Sequence, residues 1–176
     1  MRIVEVVDHN PLWQADFEAE AQLIQAALSN PVVIHHIGST AIPGIYAKPI
    51  IDLLIEVNEI VQMDQDQVAM ESLGYVSMGE FGIPGRRYFR KENQQGVRTH
   101  HVHAFAAGGS EVERHLAFRD YMRAHPEDAQ AYSQLKRALA KQYPTSIDRY
   151  MDGKDGFIKA MDQKAAQWRI QCIETL

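Results

Sequence analysis

Length, composition and charge limit what this chain can be. It has 176 residues, of which 45% are hydrophobic and 23% charged, enough for one domain with a buried core and a helical appendage. The net charge of −5, without a block rich in Lys or Arg, argues against nucleic acid as the main ligand. A small phosphorylated ligand needs only a few placed cations and stays possible.

One cysteine and the lack of long apolar segments indicate the compartment. Cys172 is the single cysteine of the sequence, so a disulfide framework within the chain is excluded and a reducing compartment is favoured. Residues 1–8 have no signal-peptide pattern, and no stretch reaches the ~18 apolar residues of a membrane span. We therefore expect a cytoplasmic protein that does not act in a membrane.

Turn signals and apolar periodicity divide the first part of the chain into alternating helices and strands. Residues 2–7 are predicted to be a short edge strand or an extended arm. Asn10-Pro11 predicts the start of a helix, with Asn10 as its N-cap. The elements predicted after it are strands at 32–37 and 50–57 around a turn at 41–47, a helix at 60–73 with Val61, Val68, Ala69 and Leu73 facing inward, and strands at 75–78, 86–91 and 97–106.

The remainder of the chain has helical periodicity. The predicted features are a capping box from Ser110 to Glu113, a helix at 111–124, a second helix opened by Pro126 with the apolar stripe Tyr132, Leu135 and Leu139, and a third helix after Thr145 or Ser146 that is interrupted or bent near Gly153 and Gly156. We therefore predict an α+β protein. Residues 1–109 form a mixed sheet with flanking helices, and residues 110–176 form a helical C-terminal region that packs on this core as one compact unit.

A glycine-serine turn between two apolar strands is the strongest functional signal. The first strand ends in Gly38-Ser39-Thr40. A glycine lets backbone come close to a ligand, and free N–H groups at the start of a helical turn attract anions. The sequence therefore predicts a phosphate-binding turn at Gly38, Ser39 and Thr40.

The second strand carries two carboxylates on one of its faces. By alternation, one face is purely apolar and is the expected core side, with Ile51, Leu53, Ile55 and Val57; the other has Ile50, Asp52, Leu54 and Glu56. Asp52 inside an apolar strand is costly unless it has a partner. It is either a functional acid or a buried acid bonded to the nearby turn. Glu56, at the strand end, is expected to be exposed or paired with Arg or Lys.

Several segments of the chain resemble the GrpB family (UPF0157) of the nucleotidyltransferase superfamily. The resembling segments are His36-Ile37-Gly38-Ser39-Thr40-Ala41-Ile42-Pro43-Gly44, Ala47-Lys48-Pro49-Ile50-Ile51-Asp52, Thr99-His100-His101-Val102-His103, Phe118-Arg119-Asp120-Tyr121, Tyr132-Ser133-Gln134-Leu135-Lys136 and Tyr150-Met151-Asp152-Gly153-Lys154-Asp155-Gly156-Phe157-Ile158. The resemblance covers nearly the whole chain and implies a nucleotidyltransferase-like mixed sheet.

The superfamily pattern implies specific roles, and this chain matches only part of it. In nucleotidyltransferases the Gly-Ser motif holds the triphosphate, two acids two residues apart bind metal, and a third acid on a later strand activates the acceptor hydroxyl. Gly38-Ser39 matches the motif and Asp52 matches the first acid. The position of the second acid is Leu54. Glu56 lies roughly 13 Å along the strand from Asp52, too far to share a metal ion.

Two histidines on the later strand are candidates to replace the missing acids. His101 and His103 fall on one face of that strand. With Asp52 they could ligate a transition metal such as Zn or Mn as a two-His, one-carboxylate set. They could also bind phosphate when protonated or act as a general base. If the chain is a transferase, the resemblance implies Mg²⁺.

Six basic residues are candidate phosphate or carboxylate contacts, namely Lys48, Arg87, Arg98, Arg119, Lys136 and Lys154. We select Lys48 and Arg87 for their proximity in the chain, and Lys154 because it stands in a motif flanked by glycines. Arg119 and Tyr121 are alternatively expected to tie the helical region to the sheet.

His35 and His36 precede the turn, and alternation directs one of them towards the site and the other away. His36 is the one that matches the family.

Three functions stay open at this point. The chain could transfer a nucleotidyl group from a nucleoside triphosphate to a small molecule or protein. It could be a nucleotide- or phosphate-binding module without transfer chemistry. It could also be a metal-dependent hydrolase that uses Asp52, His101 and His103.

Overall fold

A five-stranded mixed sheet organises the computed structural model, which describes residues 3–175. The strands are β1 (Val33–Ile37), β2 (Ile51–Val57), β3 (Tyr75–Ser77), β4 (Arg87–Glu92) and β5 (Arg98–Ala106). Their order in the sheet is β1-β2-β5-β4-β3. β2 and β5 are parallel, and the other neighbours are antiparallel. Arg2, with which the predicted N-terminal element begins, lies outside the described residues.

Helices cover the two faces of this sheet. They are α1 (Trp13–Ala27), α2 (Val61–Gln65), α3 (Gln67–Ser72), α4 (Ser110–Ala124), α5 (Pro126–Gln142) and α6 (Ile147–Glu174), with a single 3₁₀ turn at Ser39–Ala41. Among residues 3–175, no helix is both long and apolar enough to cross a membrane. The architecture confirms the predicted α+β class, a mixed sheet with flanking helices and a helical C-terminal part.

The strand β2 supplies the centre of the main core. Its predicted core face is confirmed, because Ile51, Leu53, Ile55 and Val57 all pack in one buried cluster with residues of α1, α2, α3 and β5. The opposite face contributes Leu54, which is fully buried against Ile37, Phe105 and Val112. Both faces of β2 are therefore covered, and a carboxylate on this strand must be partnered by protein groups or by a ligand.

The N-terminal segment is an extended arm and not a strand. Val7 exchanges two backbone hydrogen bonds with Ala47, of 2.9 and 3.0 Å, and Val4 N–H donates to the Pro144 carbonyl. The first helix begins at Trp13, two residues later than predicted. The Asn10 side-chain oxygen instead accepts a hydrogen bond from Leu12 N–H at 3.0 Å and stabilises the turn that leads into the helix.

The single helix predicted over 60–73 is wrong, because a break at Asp66 divides it into α2 and α3. The Asp66 carboxylate accepts hydrogen bonds from the backbone N–H and the hydroxyl of Ser29. The predicted inward face is also wrong in both helices. Met63 and Met70 are buried, whereas Val61 and Val68, which were predicted to face inward, are exposed.

Two local predictions for the C-terminal helices are also corrected. Ser110 is the first residue of α4 and Gly109 is its N-cap, without a side-chain capping bond. Helix α6 runs without interruption through Gly153 and Gly156. A side chain at Gly153 would overlap Leu139 of α5, so this glycine allows close helix packing and does not bend the helix.

The helical part holds the turn that follows β1. Arg119 Nη1 donates to the His36 carbonyl at 3.2 Å, and Arg123 Nε donates to the Ala41 carbonyl at 2.9 Å. Tyr121 packs in a buried cluster with Ile42 and other residues of the helices. The expectation that Arg119 connects the helices to the sheet is therefore confirmed, whereas Tyr121 packs among the helices and the turn after β1. The division into units at 1–109 and 110–176 stays a prediction.

The two glycines of α6 give a matched stability test. In Gly156→Ala the new methyl group meets no atom within 4 Å, so the higher helix propensity of alanine should stabilise the fold by about 0.5–1 kcal/mol. In Gly153→Ala the methyl group must displace the buried Leu139 side chain, and overpacking of this kind costs about 1–3 kcal/mol. Urea unfolding should therefore rank Gly156→Ala above the wild type and Gly153→Ala below it. Equal effects would contradict the packing role of Gly153.

Candidate functional site

The parallel pairing of β2 with β5 brings together the three residues predicted as the catalytic and metal-binding group. Asp52 pairs in register with His101, and Leu54 pairs with His103. His101 Nδ1 lies 3.2 Å from Asp52 Oδ1, and His103 Nε2 lies 3.6 Å from the same oxygen. The three side chains are half-buried, so solvent or a small ligand can reach them.

The two histidines keep Asp52 ionised. Burial acts to raise the pKa of Asp52, but hydrogen bonds and electrostatic attraction from His101 and His103 outweigh it and hold this pKa far below its ordinary value. The Tyr88 ring stands 5.6 Å from the His101 ring and 5.3 Å from the His103 ring. Asp52 is therefore an anion in a half-buried pocket, with imidazoles and an aromatic ring around it.

Gly38 brings the predicted phosphate turn against this carboxylate. Its φ angle is +72°, in the left-handed region that favours glycine. A Cβ atom at this position would lie 2.6 Å from Asp52 Oδ2. Glycine is therefore required here for two reasons, backbone conformation and close approach. The turn continues into the 3₁₀ segment Ser39–Ala41.

A cavity of about 260 Å³ joins the turn and the three ligand-type residues. Four residues predicted as phosphate contacts line it, namely Ser39, Thr40, Lys48 and Lys154. Asp52, His101 and His103 form another part of the wall, together with Lys136 and Tyr150. The site therefore combines an anionic centre with three lysines.

Lys136, a candidate contact that was not favoured from the sequence, lines the cavity. Its side chain is 1% exposed, its Nζ donates to the Tyr46 carbonyl, and it lies 4.5 Å from the centre of the Tyr132 ring. Burial, with the charges of Lys154 and Lys48, lowers the pKa of Lys136 to about 7. The sequence signal for Lys136 was its position beside the apolar stripe of α5, where a lysine is unusual unless it has a partner.

Lys154 and Tyr150 lie one helical turn apart on α6. The Tyr150 ring has Lys48 Nζ at 5.6 Å and Lys154 Nζ at 5.0 Å from its centre. Burial and the Lys48 charge lower the pKa of Lys154 to about 8, although the Asp52 charge opposes this. Tyr150 therefore has two cations close to its ring, and it was not selected from the sequence as a site residue.

Arg87 is not part of this cavity, contrary to the prediction. It pairs in the sheet with Ala104, on the core face, and it makes a bidentate ion pair with Asp64 at 2.6 and 2.9 Å. The neighbouring Arg86 lies on the site side, with Nη1 3.4 Å from His103 Nδ1. Successive strand residues point to opposite faces of the sheet. Arg86 therefore faces the site, and Arg87, one residue later, faces the core side.

Neither His35 nor His36 lines the cavity. His36 is buried on the core side, where it stacks on Phe17 at 4.7 Å and its Nε2 lies 2.9 Å from Thr40 Oγ1. Burial is the main reason why the pKa of His36 falls to about 4. His36 therefore supports the turn from behind as a neutral ring. His35 pairs with Glu56 at 2.6 Å, so the partner of Glu56 is a histidine and not the predicted Arg or Lys.

Asp52, His101 and His103 fit a metal ion in donor type and spacing. One ligand atom from each lies within 4.8 Å of the others, and two imidazoles with one carboxylate suit a transition metal better than Mg²⁺, which prefers oxygen ligands. His101 Nε2 is buried without a hydrogen-bond partner. The nearby charge of Arg86 acts against a cation at this position.

Comparison with solved structures defines the class of fold. Terminal uridylyl transferase 4 from Trypanosoma brucei superposes with a TM-score of 0.55 at 11% sequence identity, covering 92% of this chain and 55% of that chain. This likeness concerns the fold alone. It confirms the predicted nucleotidyltransferase-like architecture.

The chain belongs to the GrpB family. The family profile described as GrpB protein matches residues 3–164. The crystal structure of GrpB from Enterococcus faecalis superposes with a TM-score of 0.89 and 45% identity, covering 94% of this chain and 99% of that chain. The UPF0157 protein YqkA of Bacillus subtilis is 46% identical over 169 residues, which are 96% of this chain. The chain spans only 49% of the length of YqkA.

Alanine substitutions at two glycines of the loop after β1 test how much the close approach to Asp52 adds to the cost of backbone strain. Gly38 and Gly44 both have positive φ angles, of +72° and +76°, but a Cβ atom at Gly44 would meet nothing within 4 Å. Gly44→Ala should therefore cost only the conformational strain of about 1–2 kcal/mol. Gly38→Ala should cost about 1–3 kcal/mol more, because the methyl group overlaps Asp52 and because the ψ of −172° at Gly38 belongs to a backbone region that is nearly restricted to glycine. Chemical denaturation of both variants measures the difference, and equal losses would show that Asp52 yields freely.

Proposed function

We propose that this chain binds the phosphates of a nucleoside triphosphate and transfers its nucleotidyl group to a hydroxyl of a small molecule or protein. The observation that carries this proposal is the single cavity in which Ser39, three lysines and the group Asp52, His101 and His103 face one space. The nucleotidyltransferase-like fold supports the choice of reaction class.

The lysines supply the phosphate-binding half of the proposed site. Burial disfavours the charged form of both Lys136 and Lys154. The charges of Lys154 and Lys48 add to this effect at Lys136, and the charge of Lys48 adds to it at Lys154. A phosphate anion reverses this penalty, because opposite charge at short range favours the protonated amine. Ser39 adds a hydroxyl at the turn.

The group around Asp52 supplies the chemical half. A divalent ion held by Asp52, His101 and His103 would neutralise charge on the transferred phosphate. The acceptor oxygen forms a bond to the α-phosphorus while the bond to pyrophosphate breaks. The acceptor hydroxyl loses its proton to a histidine of this group that does not ligate the ion, as a general base, or to water when both histidines ligate it. This assignment replaces the third acid of the superfamily pattern.

Leu54 favours a second candidate, a binding module without transfer chemistry. It occupies the position of the second acid and is fully buried in an apolar cluster. A two-metal centre of the polymerase type therefore lacks one ligand. The third candidate, hydrolysis, would use the same three residues with water as the acceptor.

One set of assays separates these candidates. Thermal shift with the four nucleoside triphosphates, with Mg²⁺ or Mn²⁺, measures binding, and pyrophosphate release with a panel of hydroxyl acceptors measures transfer. Asp52→Asn should reduce pyrophosphate release about 100-fold or more, because it removes the anion that orients both histidines. Glu56→Gln is the matched control on the same face of β2 and should keep full activity.

The results assign the function directly. Stabilisation by nucleotide without turnover supports the binding module. Turnover that needs no acceptor but water, with stoichiometric Zn, Mn or Fe by elemental analysis, supports the hydrolase. The transferase proposal fails if no triphosphate shifts the melting temperature with either metal ion.

The lowered lysine pKa values predict that phosphate binding takes up protons. Above about pH 8, a substantial fraction of Lys136 and Lys154 is neutral in the free protein, because their pKa values are about 7 and 8. A bound anion raises both pKa values, so affinity for inorganic tripolyphosphate should fall as pH rises through this range. Calorimetry in two buffers of different ionisation enthalpy measures the uptake. In Lys154→Gln the uptake should decrease, and an unchanged value would contradict the assignment.

A further inference from the structure

A second and larger cavity adjoins the proposed phosphate site. Its volume is about 530 Å³, and Lys48 and Ile50 line both cavities. Helix α6 also borders both of them, because Ile147 lines the larger cavity and Tyr150, one helical turn later, lines the smaller one. The two cavities therefore form neighbouring parts of one cleft along the start of α6.

The two parts differ in size and chemistry. The phosphate site, of about 260 Å³, is smaller than the ~300–1,000 Å³ of typical organic ligand pockets, whereas the larger cavity falls within that range. Aliphatic residues form much of its wall, including Pro49, Ile50, Val97 and Ile147. A ligand whose phosphates occupy the lysine-lined part would therefore place its organic part against an aliphatic surface.

Arg98 gives the larger cavity a specific polar group. Arg98 lines this cavity, its Nη2 donates to Glu92 Oε1 at 3.1 Å, and its Nε is buried without a hydrogen-bond partner. A guanidinium group can only donate hydrogen bonds. The bond to Glu92 uses only part of the donor capacity of this group, so Arg98 can also donate to a ligand acceptor in the cavity, such as a ring nitrogen or carbonyl oxygen of a base or a ribose oxygen.

We propose that the larger cavity binds the nucleoside part of the nucleotide, with the base against Val97 and Ile147 and an acceptor atom on Arg98. This inference rests on the proposed function, because it requires phosphates in the neighbouring site. It assigns the nucleoside to the cleft formed by the N-terminal arm, the β4–β5 turn and the start of α6. Lys48 thus lies between the nucleoside part and the phosphates of the bound nucleotide.

The test compares nucleotides with inorganic tripolyphosphate, which lacks a nucleoside. Val97→Trp fills the larger cavity from an exposed position, and Val76→Trp is its control, because both valines are 54% exposed and Val76 lies on β3, outside this cavity. We expect Val97→Trp to weaken the Kd of the nucleoside triphosphates about tenfold or more and to leave the Kd of tripolyphosphate unchanged. Val76→Trp should change neither.

Arg98→Gln is a second variant that removes the guanidinium group, keeps a polar side chain and leaves the aliphatic wall intact. It should also weaken nucleotide binding while tripolyphosphate binding is kept. The inference is overturned if wild-type protein binds both ligands and the two cavity variants reduce neither affinity, or reduce both equally. If wild-type protein binds neither ligand, the proposed phosphate site itself fails, and the two failures are thereby distinguished.

Discussion

The parallel register of β2 and β5 is the constraint on which the site depends. It sets Asp52 opposite His101 and brings His103 within reach of the same carboxylate oxygen. Both faces of β2 are covered by packed side chains, so the charge of Asp52 has few other partners. A shift of one residue between these strands would move both histidines to the core face and leave a half-buried anion without compensation. The pairing of β2 with β5 therefore provides the partners of Asp52, and the cost of an uncompensated carboxylate in turn favours this register.

The second half of the site comes from the helices, and it reaches the sheet through backbone carbonyls. Arg119, Arg123 and Lys136 each donate to a carbonyl oxygen between residues 36 and 46. Ser133 Oγ accepts a hydrogen bond from Tyr46 N–H at 2.7 Å. The loop after β1 is thus fixed by groups that lie more than 80 residues later in the chain. Any change in how α4 and α5 dock would move the phosphate turn relative to Asp52.

Local patterns predicted the parts of this fold that local physics determines. Alternation along β2 gave the correct core face, and Gly38 with Asp52 predicted a turn against a carboxylate. Errors arose where a distant contact decides: the bond from Ser29 to Asp66 divides a helix, and one residue of offset at the start of β4 exchanges Arg87 for Arg86. Lys136 could not be assigned from spacing, because only the docking of α5 brings it under the turn.

The buried ammonium of Lys136 has a consequence for the evolution of this protein. A lysine that is 1% exposed and whose pKa falls to about 7 reduces stability at neutral pH in the absence of an anion. Apolar replacements at this position would remove this cost, but they would also remove the hydrogen bond to the Tyr46 carbonyl that helps to fix the loop after β1. Selection for ligand binding would oppose them. Position 136 is consequently a place where stability and ligand binding set different requirements on one side chain.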